Sequence, residues 1–390
     1  MTFLGLACAS AIAGSQLGLD ASLPPDAVET AIDHLWNLEY DQARPQLEAW
    51  LAQHPNDLRA MNYLASTMLQ REMFQRELLE GRMYVVGGEA FRKGRPPVPA
   101  GFQGELFGVL NRAESLAQER LRQNSRDEDA LYWLGAAHAI RAIFHLTFAR
   151  APAAALREAK EARNYHARVL SLNPGFVDAM LFGGMYEYVV GSLPWYMKFL
   201  ASIAGYRGDR ERGLAAMQRV AREGHRARME ARQFLVIVYF REKRYPEALA
   251  LLQEMERAYP RNFVIPQEIA RVYKGLGDWR AAAETYQQLL ARHHQGAPGY
   301  RNLPVSKILY QAGEAYARMG DTAQALRLYK QVEERQEDNI FVYRAALAAG
   351  NMYQQQNRPE DARRRYERVA SAIPSTEEGR AARQYLKQLR

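Results

Sequence analysis

Cysteine is almost missing from this chain: Cys8 is the single one in 390 residues. That excludes an intramolecular disulfide and any cysteine-built metal cluster. Lysine is scarce as well, with eight against 44 arginines. No His-Glu-x-x-His, no phosphate loop and no Gly-x-Ser-x-Gly occurs, so the usual motifs of zinc, nucleotide and serine chemistry are absent. No enzyme activity, cofactor or metal is expected. Long uninterrupted apolar runs are also missing. The most apolar stretch, Phe176 to Tyr206, holds Asp178, Glu187 and Lys198 and is broken by Pro194, which does not suit a membrane span.

What is present is ordinary for a water-exposed protein: 48% hydrophobic and 25% charged residues. The formal net charge is +8. Guanidinium groups bind phosphate in a bidentate way, but the cations here alternate with acids. Arg207, Asp209, Arg210, Glu211 and Arg212 form one such run, and Arg358, Glu360, Asp361, Arg363, Arg364, Arg365 and Glu367 another. A nucleic-acid face would be a single-sign stripe with aromatics between, so no nucleic acid is expected as partner. Three histidines, His138, His145 and His166, are the candidates for a metal group. The first two lie seven residues apart, about 10.5 Å along a helix, too far for one ion. They read as histidines of a helical core, and His293-His294 as solvent-exposed loop residues.

Residues 1–20 read as an export signal. Thr2 to Leu19 carry no charge, and Ala11-Ile12-Ala13 has the small-x-small pattern cut by signal peptidase. The basic leader that should come first is missing, as if Met1 were internal. The expectation is an exported, periplasmic protein. A lipoprotein signal at Leu4-Gly5-Leu6-Ala7-Cys8 and a frayed cytoplasmic N-terminus are the alternatives.

The organising feature is an internal period. One register starts at Met229, with Leu235, Tyr239, Tyr245, Ala248, Leu252, Met255 and Pro260 on its key positions. The next starts at Phe263, with Ala270, Tyr273, Gly277, Asp278, Trp279, Ala282, Tyr286 and Leu289. A third starts at Ser306 (Gly313, Tyr316, Gly320, Asp321, Ala325, Tyr329, Val332) and a fourth at Tyr343 (Gly350, Tyr353, Ala362, Tyr366, Val369, Pro374). Small residues allow two helices to approach, large ones fill the gaps between hairpins, and proline stops the second helix. This is the pattern of the roughly 34-residue tetratricopeptide repeat. It predicts an all-α, right-handed superhelical solenoid.

The N-terminal third is less regular. Residues 21–125 read as helical, degenerate repeats: Leu38 to Ala43 with Leu47, Trp50 and Pro55 as the end of one hairpin, then Leu58 to Met68 as a first helix. A Pro/Gly-rich loop covers 92–104. Residues 126–225 hold further degenerate repeats opening at Asp127 and closing a helix at Asn173-Pro174, with an apolar helix inserted at 194–205. Regular repeats fill 226–374. A loop from His293 to Leu303 separates the second register from the third. Residues 375–390 form a capping helix, announced by the capping-box pattern Ser375-Thr376-Glu377-Glu378.

One segment, residues 188–214, carries a specific order: Leu193, Pro194, Lys198, Gly205, Gly208, Asp209, Arg210, Glu211, Gly213 and Leu214. In this it resembles the tetratricopeptide repeat protein 39 family and its inclusion-body-clearance relatives, with Trp195 where a second proline would follow. The resemblance implies a non-enzymatic interaction protein, a bacterial relative of that family.

In such a repeat, positions two, five, nine and twelve of the first helix line the concave side. That places Glu230, Gln233, Ile237 and Phe240 there, then Gln267, Arg271 and Lys274, then Lys307, Tyr310, Glu314 and Ala317, then Arg344, Asn351 and Gln354. The candidate partner-binding residues are Gln233, Phe240, Arg271, Lys274, Lys307, Tyr310, Arg344 and Asn351. Cations among aromatic anchors suit an extended peptide bearing carboxylates, so the expected function is a scaffold or adaptor holding a protein or peptide. The alternative is a peripheral membrane or envelope-assembly component. It would use the apolar face of Trp195, Tyr196, Phe199, Leu200 and Ile203 with the basic stretch Arg207 to Arg232.

Overall fold

The computed structural model describes residues 27–79, 98–192, 208–335, 337 and 339–389. All regular structure among them is helical. The helices come as consecutive hairpins: α1 (Ala27–Trp36) with α2 (Tyr40–Gln53), α3 (Leu58–Gln75) with α4 (Phe102–Gln123), and α5 (Glu128–Thr147) with α6 (Pro152–Leu172). A 3-10 turn, Val177–Ala179, leads into α7 (Met180–Gly191), which pairs with α8 (Arg210–Glu223). The regular registers follow as α9 (Arg228–Arg241) and α10 (Tyr245–Ala258), α11 (Val264–Leu276) and α12 (Trp279–His294), α13 (Val305–Arg318) and α14 (Thr322–Glu334), and α15 (Ile340–Gln355) and α16 (Pro359–Ala372). A single helix, α17 (Glu377–Gln388), closes the stack. Each helix packs on its sequence neighbour, so the core lengthens with the array, as in a solenoid. The expected all-α repeat solenoid is what the chain forms.

Local chemistry explains where the helices start. Asp57, Asp127, Asp209, Asp278 and Asp321 each accept a hydrogen bond from the backbone N–H three residues on, the standard N-cap interaction. At the last helix the cap is Thr376, whose hydroxyl accepts from the Gly379 N–H at 3.1 Å. The capping box read at Ser375 is therefore shifted by one residue, and Glu378 reaches away to Arg344 at 2.9 Å. The loop after α12 also begins later than the sequence suggests. His293 and His294 are the last residues of α12; His294 is exposed as expected, whereas His293 is half-buried and its Nδ1 lies 2.9 Å from the Tyr300 carbonyl oxygen. The loop folds back through its aromatic residue, since Tyr300 is buried.

The turn between the two helices of a hairpin needs one left-handed residue. Gly277 and Gly320 supply it in two registers. The equivalent positions elsewhere are Leu38, Lys243 and Asn357, all with positive φ. Side chains disfavour that conformation, so the turn geometry is imposed there by the packing of the flanking helices.

The stack curls until its beginning meets its middle. The α1–α2 corner sits against the turn between α10 and α11. There the Arg261 guanidinium reaches Glu39 at 2.9 and 3.1 Å and also pairs with Asp33. Its backbone N–H donates to Asn37 Oδ1 at 3.1 Å, and the Asn262 amide donates to the Trp36 carbonyl at 2.7 Å. Helix α3 continues the contact. The Tyr63 hydroxyl donates to the Arg226 carbonyl at 3.1 Å, Phe74 meets Phe263 edge to face at 5.8 Å, and Glu77 faces Lys307 at 3.5 Å. Twelve of its residues, from Leu58 to Met73, are buried. That is more than one apolar stripe requires and follows from α3 being enclosed by its neighbours and by the later repeats.

Candidate partner-binding face

The first helices of successive hairpins bring several of the positions expected on the concave side into an interlocked row. Position twelve of one repeat reaches position nine of the next. The Arg271 guanidinium lies 3.8 Å from the centre of the Phe240 ring, and Lys274 pairs with Glu314. Stacking of guanidinium on an aromatic face is favourable and holds Arg271 in place, while Glu268 on the same helix pairs with it. Four residues expected on this face are thus brought into one row: Phe240, Arg271, Lys274 and Glu314. All four are half-buried.

Further along, the Phe341 ring gathers three more. Tyr310 lies 5.8 Å from it, Arg344 5.6 Å and Lys307 6.0 Å. Lys307, however, is buried at 2% exposure, with Glu77 of the N-terminal hairpins over it. Burial pulls its ammonium below the usual lysine range, and the nearby carboxylate opposes that. Asn351 accepts a hydrogen bond from the Tyr366 hydroxyl at 2.7 Å. Gln233 is half-buried on α9. The row therefore has two parts. Near the starts of α11 and α13, at Gln267, Ser306 and Lys307, the positions are buried. Near the helix ends, at Arg271, Lys274 and Glu314, they remain half-open.

Sequence reasoning passed over a second cluster at the α8–α9 turn. Asp178 Oδ1 accepts the backbone N–H groups of His225, Arg226 and Ala227 at 2.8, 2.9 and 2.9 Å. Arg226 pairs with Asp129 at 2.7 Å and lies over the rings of Tyr132, Trp133 and Phe176. Beside it, Glu230 Oε2 is buried with no hydrogen-bond partner. Burial, with a smaller contribution from Asp178, pushes the Glu230 carboxyl up to about 7. Nothing in the linear pattern marks Asp178, because its partners lie 47 to 49 residues away.

Much of the basic stretch is neutralised within the fold. Arg210 pairs with Glu242, Arg212 with Glu187, Arg219 with Glu223, Arg226 with Asp129 and Arg232 with Glu254. The apolar helix expected at 194–205, the export signal at 1–20 and residues 92–97 of the expected 92–104 loop lie outside the described residues, and the last three residues of that loop, from Phe102, already belong to α4. No helix among the described residues is long and apolar enough to cross a membrane. The described part of the resemblance motif serves packing. Asp209 caps α8, Leu214 is buried, and a Cβ on Gly213 would come within 2.4 Å of the Tyr188 backbone nitrogen.

The histidines are placed individually. His138 is buried and bonded to Glu158 at 2.7 Å, and His166 is buried with Nδ1 2.7 Å from the Ala162 carbonyl oxygen. His145 lies against Phe107 and Phe144. No group of three potential metal ligands occurs among the described residues.

A curled stack of helical hairpins with a polar, aromatic-studded inner row defines a repeat scaffold. Its repeats are tetratricopeptide repeats: family models of that description match residues 28–91, 200–263 and 265–338. No curated protein matches the sequence. Among solved structures, the chain is similar to yeast Tom70 at 13% identity, over 93% of this chain and 88% of that one, with a TM-score of 0.37. It is similar to Pseudomonas aeruginosa pilF at 13%, over 67% and 100%, with a TM-score of 0.39. The human IFIT1 dimer with m7Gppp-AAAA is similar at 12%, over 94% and 82%, with a TM-score of 0.43.

Proposed function

We propose that the protein is a non-enzymatic adaptor that holds an extended, carboxylate-bearing peptide segment of another protein along its concave row. Tetratricopeptide repeat proteins are in general protein-interaction scaffolds, and this chain carries such repeats on both sides of its centre. The observation that carries the finer reading is the cross-repeat ladder Phe240–Arg271 and Lys274–Glu314. It sets two cations, one turn apart on α11, on half-buried, aromatic-backed positions, where a carboxylate is worth more than in open water. The internal acids Glu268 and Glu314 already satisfy those cations. A partner's carboxylates would exchange with Glu314, which is partly open to water and can be resolvated, while the buried Glu268 stays paired with Arg271.

The test is affinity capture from the source cells with wild-type protein and with Arg271→Glu/Lys274→Glu/Arg344→Glu, both checked for intact helicity. The reading expects the charge-reversed chain to retain the captured partner at least ten-fold less well. A control of Arg280→Glu/Arg327→Glu/Arg364→Glu, on exposed residues of the second helices, should retain it. Equal capture by all three chains would place recognition elsewhere.

A further inference from the structure

The N-terminal hairpins cover Lys307 of the inner row and the α10–α11 turn beside it in the manner of a ligand. Glu39 grips Arg261 through both carboxylate oxygens, Asp33 adds a second acid, and Glu77 stands over the buried Lys307. Phe74 supplies an aromatic contact to Phe263 between those acids. The three carboxylates come from residues 222 to 230 positions away from the cations they meet. Glu39 is largely enclosed at 12% and also meets His34 at 2.6 Å, whereas Asp33 and Glu77 are partly open to water, with side-chain exposures of 48% and 54%. Ion pairs of that kind are individually weak and screened by salt. Their strength here comes from being tethered in one chain, which gives them a high effective concentration.

We infer that the α1–α2 corner and the end of α3 are a built-in occupant of the groove, displaced when a partner segment carrying several carboxylates takes over Arg261 and Lys307. This rests on the concave-face reading above and adds to it a gate and a second binding row. A single acid on the partner would not compete with the tethered set, so the fitting partner is a polyacidic segment with aromatic residues between its acids, mirroring Asp33, Glu39, Phe74 and Glu77. Exchange of carboxylates keeps the buried Lys307 ammonium beside an anion throughout, which avoids the cost of an uncompensated buried charge.

The experiment compares wild type, the gate variant Asp33→Asn/Glu39→Gln/Glu77→Gln, and the receptor variant Arg261→Gln/Lys307→Gln. A charge-matched control, Glu284→Gln/Glu360→Gln/Glu367→Gln, changes exposed acids on second helices. Helicity is checked by circular dichroism, opening by hydrogen exchange of the α3 amides, and binding with a fluorescein-labelled glutamate–tyrosine copolymer. The gate variant should exchange faster in α3 and bind the copolymer at least ten-fold more tightly than wild type. The receptor variant should exchange faster without that gain, and the control should match wild type. A folded gate variant with unchanged α3 exchange overturns the inference, as does opening without tighter binding, or an equal gain in the control. None of these results bears on capture through Arg271, Lys274 and Arg344, which is read separately.

Discussion

His166 lays its imidazole against the bare backbone of Gly135: a Cβ at that glycine would come within 2.5 Å of the ring. Tyr329 does the same over Gly313, and Tyr366 over Gly350. In the later repeats the ring and the glycine are 16 residues apart, whereas His166 and Gly135 are 31 apart. The buried histidine thus fills the place of the repeat's packing aromatic. Introducing a methyl beneath these rings forces a well-packed hairpin apart. Gly313→Ala and Gly350→Ala should each lower stability by about 1–3 kcal/mol, the usual cost of overpacking, read as a reduced urea midpoint with an unchanged slope.

Buried titrating groups give opposing pH dependences. Glu230 has its folded pKa raised from 4.5 to about 7. The folded state therefore binds the proton better, and this contribution to stability is lost as pH rises between about 4.5 and 7. His166 has its folded pKa lowered by burial from 6.5 to about 4. Its contribution is lost as pH falls through that window. The two partly cancel in the wild type. With Glu230→Gln, urea-unfolding stability should rise with pH from 4.5 to 6.5. With His166→Tyr it should fall over the same range.

Asp178 clamps the α8–α9 turn by accepting three N–H groups on one oxygen. Asp178→Ala strands those donors at a largely enclosed turn and should cost about 2–4 kcal/mol, given the penalty for unmade bonds to a charged acceptor. Asp178→Asn keeps an oxygen in reach and should cost roughly half as much by the same reasoning. Thermal melts of the two variants check the order.

Lys243 is exposed and holds the left-handed turn position that Gly277 and Gly320 hold elsewhere. Lys243→Gly removes that strain and should raise stability by ~0.5–1 kcal/mol, the excess of the left-handed penalty over the added chain entropy of glycine. A gain is the unusual direction for a glycine substitution, which makes the measurement decisive for the turn assignment.

These particulars show what the sequence made legible. The registers from Met229 onward place Gly313 and Gly350 under their tyrosines because both partners lie within one repeat. The longer α5 and α6 hide the same pairing at Gly135 and His166 from a fixed-period reading. Closure of the stack was not legible. Arg261 and Lys307 look in sequence like ordinary cations of a repeat, and their partners Asp33, Glu39 and Glu77 belong to hairpins more than 200 residues earlier. Which repeats meet across a superhelix depends on the small rotation added at every hairpin, a sum that no local pattern records.

The most direct test of the central claim is site-specific photocrosslinking in the source cells. Benzoylphenylalanine would be placed at Glu314, on the concave row, and separately at Arg327, exposed on α14. Concave-face recognition predicts a discrete adduct from position 314 that is lost with Arg271→Glu/Lys274→Glu, and none from 327. An adduct from 327 alone would contradict it.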